Sequence, residues 1–216
     1  MKKRLVVSMA IFGLVSCLVS TAGATSIGEI EPNSTLATAQ SLDGSFSLGA
    51  NPDIFMAGTI PWVSIGATGD GTYDYYSFTV AAGGVTGYFD IDYGMNQGGS
   101  IDTEIALFDS LGNVLFARDD GSNYQAVNDP GTVHGYDPSQ SYFFSTAGTY
   151  IIGVAEYSAT PVLGGWTGNI PDAGDTYTLQ VSLEGADTSS PVPEPTTMLL
   201  FGTGIAGLAA VSRRRR

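Results

Sequence analysis

Carboxylates are almost the only charged groups in the middle of this 216-residue chain. Between Thr25 and Val192, twenty acidic residues stand against one basic residue, Arg118, a net charge of −19. Such a stretch attracts divalent cations, cannot be balanced by internal salt bridges, and repels nucleic acid and anionic lipid. Other reactive groups are scarce. The same stretch has neither Cys nor Lys, and its one histidine, His134, stands beside Gly135 in a loop-like segment. There is no G-x-S-x-G elbow and no H-E-x-x-H pair. Asp102 and Glu104 share one face if the segment is a strand and could serve a glycosidase, yet so dense a carboxylate population produces such pairs by chance. Asp90-Ile91-Asp92 opens like an EF-hand loop, but Gly94 and Met95 occupy the fifth and sixth positions and Ile101 the twelfth, where the loop needs a ligand, a glycine and a glutamate. Asp119-Asp120-Gly121 reads as turn chemistry, with a second cation site as the alternative. The expectation is a protein that is not an enzyme.

The elements that carry these groups are short strands. No helical period of useful length runs through the middle of the chain; runs of β-branched and aromatic residues alternate with Gly, Asp, Asn and Pro. Strands are expected at 54–60, 75–80, 85–91, 103–109, 114–117, 142–145, 150–156 and 176–183. Tyr76, Phe78 and Val80 fall on one face of the second; Tyr177, Leu179, Val181 and Leu183 fall on one face of the last. A period of two with one apolar face means half-buried strands, and Gly112-Asn113 supplies a hairpin turn. The fold class is all-β: a jelly-roll-like β-sandwich of about eight strands. A helical turn is expected only at 36–40, and long Gly-, Asp- and Asn-rich loops at 93–101, 118–140 and 157–174.

Both ends read as addresses. Lys2, Lys3 and Arg4 precede a mostly apolar run to Val19, and Ala22-Gly23-Ala24 suits signal peptidase, so residues 1–24 are expected to be a signal peptide. Alternatives are an uncleaved anchor and lipidation at Cys17, which ends a lipobox-like Leu14-Val15-Ser16-Cys17. The sandwich then occupies 25–187 and a Pro-rich linker 188–195. Residues 196–216 form an uncharged 17-residue stretch, expected to be a transmembrane helix, closed by Arg213, Arg214, Arg215 and Arg216. Those arginines stay cytoplasmic by the positive-inside rule, so the acidic middle is exported.

Pro193-Glu194-Pro195, a short hydrophobic helix, an arginine cluster and the chain end together resemble the PEP-CTERM sorting signal. That resemblance implies an exosortase-type processing enzyme acting at Pro193, Glu194 and Pro195. It also implies a Gram-negative, exopolysaccharide-producing bacterium with the mature protein at its surface or in its matrix. A plain membrane anchor is the alternative.

The middle resembles bacterial pre-peptidase C-terminal domains through Glu31-Pro32-Asn33-Ser34, Asp74-Tyr75-Tyr76-Ser77-Phe78, the segments 102–109 and 147–154, and the closing Tyr177-Thr178-Leu179-Gln180-Val181. The resemblance implies a β-sandwich without chemistry of its own and a Ca²⁺ held by Glu31, Asn33, Asp70 and Asp74, with Glu29 a further candidate. Ser34 stands where many members of that family have an acid. The competing reading makes Asn33-Ser34 a cap and Asp70 a loop-former. Trp62 and Trp166, with Tyr124, Tyr136 and Tyr157, are candidate carbohydrate contacts, since sugars stack on exposed rings; core packing is the alternative. The expected protein is thus an exported, calcium-stabilised surface or matrix protein, and the alternative is a carbohydrate-binding module acting on exopolysaccharide.

Overall fold

The computed structural model describes residues 26–54, 56–95, 101–121 and 134–189. The signal peptide, Cys17, Tyr124, the Pro-Glu-Pro motif, the apolar C-terminal stretch and Arg213–Arg216 lie outside the described residues. Among the described residues no helix is long and apolar enough to cross a membrane.

In chain order the strands are β1 (Ser26–Gly28), β2 (Gln40–Ser41), β3 (Trp62–Thr68), β4 (Asp74–Val80), β5 (Val85–Asp92), β6 (Thr103–Asp109), β7 (Val114–Arg118), β8 (Ser139–Phe144), β9 (Gly148–Glu156), β10 (Thr160–Val162), β11 (Gly165–Thr167) and β12 (Thr176–Leu183). They form two five-stranded sheets, ordered β1-β3-β12-β5-β8 and β2-β4-β9-β6-β7, plus a β10–β11 hairpin. All pairings are antiparallel except β1 with β3 and β2 with β4.

Period-two patterning explains why the sheets stack. Val63, Ile65 and Ala67 of β3 and Tyr177, Leu179, Val181 and Leu183 of β12 face Tyr76, Phe78 and Val80 of β4 and Ile105 and Leu107 of β6 in one buried core. Phe78 lies at its centre, with ring centroids of Phe89, Phe144 and Tyr150 at 5.6, 5.9 and 6.3 Å. Burying each such ring is worth about 1.5–3 kcal/mol. An all-β sandwich is therefore what this alternation builds.

A second apolar cluster covers the outer face of the β4–β9–β6 sheet. Tyr75, Ala106, Phe108, Ile151 and Ala155 pack there against Ala159 and Trp166 of the β10–β11 region. The fit depends on Gly153, where a Cβ would sit 2.7 Å from Trp166 Nε1 and 2.9 Å from the Tyr75 ring.

One expected strand is corrected. Of that segment, residues 56–59 form turns, and the strand begins at Trp62. The segment folds over the outer face of β3: Trp62 Nε1 donates to Gly49 O at 2.8 Å, and Ile54 and Ile60 are buried. The expected helix at 36–40 is a single turn, closed by Thr38 N donating to Thr35 O at 3.0 Å.

Candidate metal centre

The strand register gathers the acids. β3, β5, β7 and β9 finish, and β4, β6, β8 and β12 begin, at the same end of the sandwich. Asp74 opens β4, Asp102 and Glu104 flank the start of β6, Asp92 and Glu156 close β5 and β9, and Asp119 and Asp120 follow β7. One pole of the molecule is built of carboxylates.

At this pole the chain crosses between sheets. After β1 pairs with β3, Glu29 N donates to Gly66 O at 3.1 Å; residues 29–39 then pass over the open end of the sandwich to β2, on the opposite sheet. Three carboxylates meet under this crossing. Oxygens of Glu29, Glu31 and Asp74 all lie within 4.8 Å of one another. Glu29 Oε1 accepts from Asn33 Nδ2 at 2.8 Å and from the Tyr76 hydroxyl at 2.5 Å, while its Oε2 accepts from Thr68 N at 3.1 Å. Glu31 Oε2 accepts from Asn33 N at 2.9 Å, and Asn33 O accepts from Tyr75 N at 3.1 Å. The Tyr177 hydroxyl donates to Asp74 Oδ2 at 2.6 Å and lies 3.1 Å from the Tyr76 hydroxyl.

Two acceptors are left over. Asn33 and Asp74 are each 0% exposed, and Asn33 Oδ1 and Asp74 Oδ1 are buried with no hydrogen-bond partner. Leaving such groups unsatisfied costs about 1–3 kcal/mol each, more when charged. Burial, and then the charge of Glu29, pushes Asp74 up to about 8 against the pull of the Tyr177 hydroxyl; Glu31 and Asp70 add to the rise. Glu31 is also raised, by burial first, with the Asn33 amide opposing and the charges of Asp70 and Glu29 adding. Burial holds the Tyr76 and Tyr177 hydroxyls well above their usual range, so both remain donors at neutral pH.

The donor set is all oxygen: three carboxylates and one amide, from two chain segments. A hard cation such as Ca²⁺ takes six to eight oxygens at tolerant geometry, and backbone carbonyls or water can complete the shell. The residues present fit that ion. Of the expected ligands, Glu31, Asn33 and Asp74 come together. Asp70 stays outside the convergent trio, its Oδ1 accepting from Thr72 N at 2.9 Å and Thr72 Oγ1 at 2.7 Å in a tight turn. Glu29, the further candidate, takes the central place. The two tyrosines were missed, although Asp74 and Tyr76 share a strand face.

The carbohydrate contacts require correction. Trp62 is 1% and Trp166 6% exposed, so neither indole presents a face on which a sugar can stack. Trp62 is tied to the preceding loop through Gly49 O, and Trp166 faces from β11 onto the outer face of the β4–β9–β6 sheet, so both indoles serve packing. Tyr136 and Tyr157 are exposed. His134 Nδ1 accepts from Tyr136 N at 3.2 Å and its ring meets Tyr136 edge-on at 4.8 Å, an arrangement that orders a loop.

A two-sheet β-domain with an oxygen-rich pole is thus followed by a C-terminal address. Residues 191–216 match the PEP-CTERM protein-sorting motif, the mark of an exported protein handled by an exosortase-type enzyme. No curated protein matches the chain in sequence. Among solved structures, the chain is similar to the pre-peptidase C-terminal domain of Bacillus anthracis collagenase, at 15% identity and TM-score 0.34, over 58% of this chain and 89% of that one. It is also similar to PliG of Aeromonas hydrophila, a periplasmic inhibitor of g-type lysozyme, at 15% identity and TM-score 0.30, over 75% of this chain and 98% of that one. A PliG mutant from Escherichia coli aligns at 13% identity and TM-score 0.29, over 76% of this chain and 100% of that one.

Proposed function

We propose that this is a non-enzymatic protein of the cell surface or extracellular matrix whose sandwich is held closed by Ca²⁺ at Glu29, Glu31, Asn33 and Asp74. The observation that carries the calcium reading is the pair of buried, partnerless oxygens, Asn33 Oδ1 and Asp74 Oδ1, beside three converging carboxylates. A cation there links the crossing segment, which spans both sheets, to the start of β4. Its role is structural: it removes like-charge repulsion and ties the chain's first two strands to the body of the fold. The PEP-CTERM motif supports the destination, and exosortase-type processing at Pro193-Glu194-Pro195 is the step that would release the domain from its tail.

Ligand that binds only the folded state stabilises it by mass action, about 2.7 kcal/mol at a hundredfold excess over Kd. For a domain of this size each kcal/mol moves Tm by about 2–4 °C. Millimolar Ca²⁺ should therefore raise the melting temperature of the purified full chain by roughly 5–10 °C over chelator. Asp74→Asn should remove most of that shift and leave the chelated protein at least as stable as wild type. Equal melting of the wild type in chelator and in Ca²⁺ refutes the calcium role. The sorting reading is checked separately, by mass spectrometry of the mature C-terminus from surface fractions: a chain still ending at Arg216 counts against processing.

A further inference from the structure

The acidic pole holds a second convergence, built on other strands. β6 and β7 pair Ile105 with Arg118, so one step further Asp119 comes opposite Glu104. Oxygens of Asp102, Asp119 and Asp120 lie within 4.8 Å of one another. Ala106 and Phe108 face the outer apolar cluster, and Glu104 shares their side of β6, away from the core that Asp74 borders. β9 lies between β4 and β6, so the sheet itself separates the two acidic groups.

Carboxylate density alone makes no site; Glu104 supplies the independent observation. It is only 8% exposed, its Oε2 is buried with no hydrogen-bond partner, and it lines a recess together with Asp119, Arg118 and Trp166. One oxygen each of Asp102 and Asp119 is likewise buried and partnerless. Arg118 also lines the recess and partly offsets the charge of Asp119, yet its Nε is itself buried without a hydrogen-bond partner and Glu104 Oε2 stays unmet. The charges of this cluster act on one another. Burial, then Asp119, Asp102 and Asp120, push Glu104 up to about 7 against the Ala159 amide, and Asp102 rises through burial and the charges of Asp119 and Asp120.

We propose that Asp102, Glu104, Asp119 and Asp120 form a second binding site for a hard divalent cation, of which Ca²⁺ best suits an irregular, all-oxygen shell. The ion gives Glu104 Oε2 and the buried oxygens of Asp102 and Asp119 the bonding partner that they lack, beyond the partial offset from Arg118 and His134. It clips the end of β7, the edge strand of its sheet, to β6. The site does not depend on the one at Glu29, Glu31 and Asp74, since the two share no residue.

Trp166 makes the site separately visible. Terbium takes the same hard oxygen ligands as calcium and emits when a neighbouring indole is excited. Trp166 lines this recess, whereas the rings bonded into the first site are those of Tyr76 and Tyr177. Trp62 opens β3 and lies roughly 20 Å from the acidic pole along that strand. Tryptophan-excited terbium emission should appear with the full chain, persist in Asp74→Asn, and vanish in Asp102→Asn/Asp119→Asn and in Trp166→Phe. Equilibrium dialysis against Ca²⁺ should give two ions per wild-type chain. One ion should remain in Asp74→Asn and one in Asp102→Asn/Asp119→Asn, with folding checked by circular dichroism. If the double variant does not fold, Glu104→Gln takes its place and should weaken terbium emission at least severalfold. No tryptophan-excited emission from the wild type, or emission and stoichiometry unchanged in these variants, overturns the second site. Loss of an ion in Asp74→Asn alone would leave the first site standing and this one refuted.

Discussion

Asp137 shows what a buried carboxylate costs when no cation is named for it. Asp137, just before β8, is 0% exposed, and burial pushes it up to about 7 from the usual range near 4, with the Met95 and Gly94 amides opposing and the Asp102 charge adding to the rise. A folded-state pKa above the unfolded one means the folded protein holds this proton more tightly. Stability from this group is full at acid pH, declines as pH rises from about 4, and is gone above about 7. Asp137→Asn should therefore stabilise the chelated protein by up to a few kcal/mol at pH 8 and by almost nothing at pH 4. Urea unfolding at the two pH values checks the sign; an equal effect at both removes Asp137 as the titrating group. At this scale the sequence was partly legible. Resemblance to a known domain family pointed to Glu31, Asn33 and Asp74, because short polar motifs survive as strings. The place of Glu29 was harder to see: its partners, Thr68 and Tyr76, are 39 and 47 residues away and meet it only once two sheets have formed.

The elements most legible were those whose side chains alternate. The bounds expected for β6 and β12 match the strands observed, and those for β4, β5, β7, β8 and β9 differ by a few residues at the ends. What alternation could not show were the short parallel additions β1 and β2, three and two residues long, and the β10–β11 hairpin inside an expected loop. The 54–60 segment misled because its Ile54 and Ile60 are buried for another reason, as a cover over β3. The hairpin yields a sharper test. With Trp166 Nε1 only 2.7 Å from a Cβ at position 153, Gly153→Ala forces the indole or the hairpin outward. Overpacking of this kind costs about 1–3 kcal/mol. The variant should melt lower, with tryptophan emission shifted to the red in the folded state and faster proteolysis between Thr160 and Thr167. Unchanged emission would mean that the strand, not the hairpin, absorbs the methyl group.

For the molecule as a whole, charge distribution matters more than net charge. Strand direction collects most of the described acids at one pole, where like charges within a Debye length repel, about 10 Å at 0.1 M salt. In chelator, raising NaCl from 10 to 500 mM should therefore raise the melting temperature, and saturating Ca²⁺ should flatten that dependence. A salt response of the same size with and without Ca²⁺ would show that the ions do not sit among these charges.

β12 begins at the acidic pole and runs eight residues to Leu183, so the polypeptide leaves the sandwich from the far end, before the sorting tail. At about 3.3 Å per residue, that strand is a spacer of roughly 25 Å. The acidic pole and the exit of the chain toward the sorting motif thus lie at opposite ends of the sandwich. The polarity needs no hinge and no partner, because it follows from the direction of a single strand.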